Sequence, residues 1–116
     1  MKRFFKAFGF AFEGIVHAFK TERNFKFHVL AAIIVIVSGL LTGLKLQEWC
    51  IIFILIGGML ALELLNSAVE RVIDLTTSER IPLAKQAKDL AAAAVLVFAI
   101  VSAVIGLIIF IPKWFS

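Results

Sequence analysis

The sequence predicts an all-α integral membrane protein: three transmembrane helices preceded by an N-terminal amphipathic surface helix. Three observations carry this reading. Of the 116 residues, 62% are apolar and mean hydropathy is +1.04, whereas soluble domains run at about 45–50% apolar. A chain of this length makes one domain, and small domains bury a low share of their surface, so the excess must face lipid or other subunits. The basic residues, which set a net charge of +4 and a pI near 9.6, flank the apolar runs. That pattern fits membrane orientation and anionic lipid, not nucleic acid.

The surface helix covers about residues 2–20. Lys2, Lys6, Gly9, Glu13, His17 and Lys20 recur every three or four positions, with Phe4, Phe5, Phe8, Phe12, Ile15, Val16 and Phe19 between them. A basic face opposite large aromatics suits a helix lying in the membrane interface. Residues 21–28 read as a polar connection, with Thr21 placed to cap the next helix.

The first span covers about residues 25–44, since the apolar run Val29–Leu44 alone is slightly short for the bilayer. No cleavable signal is evident, because that run begins behind a long charged and aromatic segment. Gly43, Lys45 and Gln47 mark a short turn. The second span covers about residues 48–69, with Trp49 as an interfacial anchor. Gly57, Gly58, Ala61 and Ala68 let helices approach closely within it. A polar loop or helix extension over about 70–89 follows, and Pro82 fits the first turn of the last helix. The third span covers about residues 90–111 and ends at Pro112, Lys113 and Trp114. Residues 1–116 thus read as a single membrane domain.

Orientation follows from Lys and Arg. Lys2, Arg3, Lys6, Lys20, Arg23 and Lys26 precede the first span, and Arg71, Arg80, Lys85 and Lys88 lie between the second and third. The opposite side has only Lys45 and Lys113. The positive-inside rule puts the N-terminus and the 70–89 segment in the cytoplasm of a multi-pass protein.

The chemistry concentrates on the second span. Glu63 lies inside an apolar run, and an ionisable residue there is costly and by default functional. At about 100° per residue, Glu63, Asn66, Glu70 and Asp74 fall within roughly 80° of one another. Repulsion within this stripe requires a protonated member, a cationic partner or a shared metal. Glu22, ahead of the first span, and Lys88 and Asp89, at the start of the third, lie at the same depth. Glu22 with Glu70 suits a hard cation such as Mg²⁺. Lys88 can neutralise phosphate, and buried Glu63 can act as a general base. The bland alternative is a structural network in which Lys88 and Asp89 pair with Glu63 and Glu70. His28 reads as an interfacial histidine, Glu48 and Asp74 as interface charges, and Lys45 and Lys113 as topology and snorkelling residues. Cys50, the one cysteine, reads as an apolar filler. There is no Walker-type loop, kinase signature or zinc cluster.

The stretch Glu63-Leu-Leu-Asn-Ser-Ala-Val-Glu70, then Asp74, then Ala87-Lys-Asp89 before an alanine run, resembles the prokaryotic diacylglycerol kinase family. The likeness extends from Arg3 to Pro112. Thr21–His28, Ile56–Glu63 and Pro82–Lys85 look like its undecaprenol-phosphorylating branch. Ala11, His28 and Ile81 stand where the diacylglycerol branch has serine, carboxylate and histidine. The resemblance implies a homotrimer in a bacterial plasma membrane that transfers phosphate from ATP, with Mg²⁺, to the hydroxyl of a lipid alcohol. It implies Glu63 as the base and Glu22 and Glu70 as metal ligands. Arg3, Glu22, Asn66, Glu70, Glu79, Lys88 and Asp89 would serve the nucleotide. A non-enzymatic ion pathway or an assembly subunit are the readings of another class.

Overall fold

The computed structural model describes residues 1–116 as four α-helices: α1 (Lys2–Thr21), α2 (Arg23–Thr42), α3 (Leu46–Thr76) and α4 (Pro82–Trp114). The last three are long and apolar enough to cross a membrane. α3 has 31 residues and α4 has 33. At about 1.5 Å per residue, each is well over the ~30 Å hydrocarbon core. Both therefore overhang the bilayer.

This overhang changes the connections. The expected loop over 70–89 is mostly helix: α3 runs on to Thr76, α4 resumes at Pro82, and only residues 77–81 turn between them. Helical backbone satisfies its own polar groups, so continuing a helix out of the membrane costs less than unwinding it at the surface. Pro82 takes the first helical position, as expected. Pro112 does not end α4, which continues to Trp114; so near the C-terminus, the lost N–H bond disturbs only the final turn.

The connection expected over 21–28 shrinks to one residue. Glu22 is extended (φ −102°, ψ 112°), and α2 starts at Arg23. That single break lets the chain turn from α1 into the first span. Thr21 does not cap α2. Its hydroxyl donates to the His17 carbonyl at 2.8 Å. At the other end of the bundle Gly43 turns the chain at φ +82°, a conformation that favours glycine.

α3 packs chiefly on α4 and secondarily on α2, while α1 rests on α2 and α3. Ile52, Ile109 and Phe110 form the buried cluster between the helices. Gly58 permits the α3–α4 approach: a Cβ there would stand 2.5 Å from the Phe98 ring. Glu48 caps α3 through the Lys45 N–H at 2.9 Å and also receives Lys113 Nζ at 3.0 Å. Trp114 Nε1 donates to Thr42 Oγ1 at 2.9 Å, joining α4 to α2. Lys113, expected only to set topology, is thus also a tie between helix ends.

Only 10 of 116 residues are buried. One copy therefore leaves most of its apolar surface for lipid or neighbours. The phenylalanines of α1 are exposed throughout, as a helix lying in an interface requires. Along α3, Ile54, Gly57, Ala61, Leu65, Ala68 and Val72 form an unpaired face.

Candidate active site

The polar stripe of α3 points inward at its membrane end. Glu63 is 3% exposed, Asn66 is 8% and Ser67 is 4%. These polar side chains are three of the five residues that α3 buries, an expensive arrangement in a small membrane bundle. Asn66 Nδ2 donates to Glu70 Oε1 at 3.4 Å. Asn66 Oδ1 is buried and has no hydrogen-bond partner. The α1–α2 junction reaches α3 beside the stripe, where Glu22 pairs with Arg71, the residue after Glu70.

Two residues complete this centre that the sequence reading did not place there. His28 Nε2 lies 3.7 Å from Glu63 Oε2. Arg71 Nη2 donates to Glu22 Oε1 at 2.7 Å and to Thr21 Oγ1 at 3.3 Å. His28 follows Glu22 by six positions, so the second turn of α2 carries it to the depth of Glu63. That signal was available once α2 was started early enough. Arg71 was counted only towards topology, and nothing local in the sequence pairs it with Glu22.

The outer end of the stripe forms a second cluster. A recess of about 720 Å³ opens where α3 ends and α4 begins, lined among others by Asp74, Glu79, Arg80, Lys85 and Lys88. Lys88 Nζ reaches Asp74 Oδ1 at 2.6 Å, and Lys85 Nζ reaches Asp89 Oδ2 at 2.6 Å. The network of Lys88 and Asp89 with Glu63 and Glu70 is therefore not what forms. The lysines project from the overhang of α4 and find carboxylates at their own height. Glu79 lies in the recess, where its backbone N–H donates to Thr77 Oγ1 at 3.0 Å. Arg3 stands exposed at the start of α1 and pairs with none of these groups.

No cluster of three His, Cys, Asp or Glu side chains closes into an all-protein metal cage. Mg²⁺ needs none, because it keeps waters and shares ligands with phosphate oxygens. Glu63 and Glu70 offer carboxylate oxygens and Asn66 an unpartnered carbonyl oxygen, the donors a hard cation takes, although the His28 nitrogen also stands beside Glu63.

A buried carboxylate with half-buried ones near it, at the end of a membrane bundle whose recess carries lysines and an arginine, is the candidate site of a membrane-embedded protein. The chain belongs to the prokaryotic diacylglycerol kinase family, whose model matches residues 9–110. It is similar to the undecaprenol kinase of Bacillus subtilis (strain 168), with 56% identity over 113 residues, 97% of this chain and 92% of that one. It is also similar to the diacylglycerol kinase of Synechocystis sp., with 37% identity over 111 residues, 95% of this chain and 63% of that one. The diacylglycerol kinase of Escherichia coli (strain K12) shares 29% identity over 102 residues, 88% of this chain and 84% of that one. The chain is a membrane lipid kinase, and the ion-pathway and assembly-subunit readings fall away.

Proposed function

We propose that this chain phosphorylates the hydroxyl of undecaprenol with ATP at the cytoplasmic face of a bacterial plasma membrane. The observation that carries the acceptor is the 56% identity to an undecaprenol kinase over nearly the full length of both chains, against 37% and 29% for the two diacylglycerol kinases. Diacylglycerol is the second reading, supported by the family itself.

Glu63 would take the proton of the acceptor hydroxyl as its oxygen attacks the γ-phosphorus. Its burial keeps water from competing for that position. Glu22 and Glu70 would hold Mg²⁺, and the ion would supply charge neutralisation on the ATP phosphates. Asn66, bonded to Glu70, would fix the direction of that carboxylate. Lys88 and Glu79, in the recess, and Asp89 at its edge would contact the nucleotide, with Arg3 reaching it from α1. Phosphoryl transfer demands chiefly in-line positioning and charge neutralisation, which this set can provide.

The N-terminus would be cytoplasmic, because the end of the bundle bearing the recess also carries most of the Lys and Arg. Self-association as a homotrimer with shared sites would cover the unpaired α3 face, where Gly57, Ala61 and Ala68 permit close packing.

The test is phosphate transfer from labelled ATP, with Mg²⁺, to undecaprenol or diacylglycerol in mixed micelles. Transfer to undecaprenol is expected to exceed transfer to diacylglycerol. The reverse preference would refute the acceptor assignment alone. Molecular mass in detergent by light scattering checks the trimer, and a monomer would refute it.

A further inference from the structure

The hinge between α1 and α2 is one residue long, and that residue is a carboxylate. Glu22 is extended while the residues on either side of it are helical. Ordering a long side chain at such a break costs conformational entropy, which a partner must offset. Arg71 is that partner. Its Nη2 donates to Glu22 Oε1 at 2.7 Å and to Thr21 Oγ1 at 3.3 Å. The Thr21 hydroxyl donates its own proton to the His17 carbonyl at 2.8 Å, so its oxygen meets Arg71 as an acceptor. These two bonds are the only side-chain hydrogen bonds that join α1 or its hinge to another helix.

Glu70 is held in a parallel way. It lies on continuous helix, and Asn66 Nδ2, one turn earlier, donates to its Oε1 at 3.4 Å. Each carboxylate thus has Oε1 engaged by a donor from α3, while its Oε2 accepts no hydrogen bond. Arg71 directly follows Glu70, so one turn of α3 presents its own carboxylate and holds the one on the hinge. Packing does not explain Arg71. Its side chain is 49% exposed, and an exposed ion pair contributes little to stability. A donor fixed on one carboxylate oxygen does orient the other, which is what outer-sphere partners do at metal sites.

We propose that Arg71 is a positioning residue for the metal ligand Glu22: it fixes the hinge carboxylate through Oε1 and leaves Oε2 open to the cation, as Asn66 does for Glu70. This rests on the assignment of Glu22 to Mg²⁺ above and deepens it. In this role Arg71 touches neither nucleotide nor lipid and moves no proton.

The experiment measures binding of trinitrophenyl-ATP to the full-length protein in detergent, with Mg²⁺ and with EDTA, alongside oligomer mass by light scattering. The variants are Arg71→Met, Arg71→Lys, Glu22→Gln and the double variant of Arg71→Met with Glu22→Gln. Loss of an outer-sphere partner weakens metal affinity about 10–100-fold. Arg71→Met should therefore weaken binding with Mg²⁺ about tenfold and leave binding in EDTA within about twofold. The apparent KM for Mg²⁺ should rise about tenfold, with kcat at saturating metal falling no more than about threefold. Arg71→Lys, which restores the charge and a donor, should bind within about threefold of wild type. The double variant should bind no more weakly than Glu22→Gln, because Arg71 then has no ligand to position. If Arg71→Met loses the wild-type mass, Arg71→Gln is measured in its place, with the same expected loss.

Equal weakening with Mg²⁺ and in EDTA would overturn the proposal and make Arg71 a direct phosphate contact. Unchanged binding with Mg²⁺ would also overturn it, leaving only a staple between α1 and α3. So would a double variant whose loss is the sum of the two single ones. Wild-type binding by Glu22→Gln would instead sink the metal assignment itself, and the proposal with it.

Discussion

Glu63→Gln isolates the base from everything else at the site. The amide has nearly the shape of the carboxylate, so a side chain that is 3% exposed can be exchanged without opening a cavity. It also removes a buried charge, so the fold should be no weaker. What is lost is the proton acceptor. General-base catalysis is worth about 10²–10⁴-fold, or roughly 2.7–5.5 kcal/mol of barrier at 1.36 kcal/mol per factor of ten. Turnover of lipid should therefore fall at least a hundredfold while Mg-ATP still binds, because Glu22, Glu70 and Lys88 are untouched. Glu63→Asp is the geometric control. It keeps the charge but withdraws it by about one C–C bond, roughly 1.5 Å, widening the 3.7 Å gap to His28. Misplacement of about 1 Å can cost 10²-fold. The assay is single-turnover transfer from labelled ATP to undecaprenol, alongside nucleotide binding by fluorescence. Glu63→Gln turnover within about threefold of wild type would refute the assignment of the base.

Three further outcomes follow from the same geometry. Glu70→Gln should raise KM for Mg-ATP about tenfold or more and lower the apparent affinity for Mg²⁺, read by titrating the metal at fixed ATP, because it removes a carboxylate already oriented by Asn66. Gly58→Leu should destabilise the bundle by about 1–3 kcal/mol, since even a Cβ there falls 2.5 Å from the Phe98 ring; thermal unfolding in detergent would show a lowered Tm. For orientation, Ser78→Cys, in the turn between α3 and α4, should react with an impermeant thiol reagent only after cells are opened. Ser116→Cys should react in intact cells, both in a Cys50→Ala background.

Much of the site was readable in the sequence because one helix carries most of it. Glu63, Asn66, Glu70 and Asp74 share a face by periodicity alone, and a helix of known pitch leaves little freedom in where they point. What periodicity does not supply is the partner from another helix. The lysines of α4 could meet any carboxylate of similar height. They pair with Asp74 and within α4 itself, not with Glu63 or Glu70. His28 was read as an interfacial histidine and Arg71 only as a topology charge, because nothing within α2 or α3 alone shows that they face Glu63 and Glu22. The 70–89 segment was left open between loop and helix extension for a different reason. Hydropathy finds where lipid ends, but not where the helix ends.

The sequence by itself determined the class of protein: three spans, a basic side, an amphipathic leader and a carboxylate stripe at one membrane surface. Those properties follow from transfer energies and helical period, which act residue by residue along one chain. Tertiary structure decided which charges meet. It put His28 against Glu63 and joined Arg71 to Glu22. Such pairings depend on distances between separate helices, set by packing details such as a Gly58 that admits the Phe98 ring.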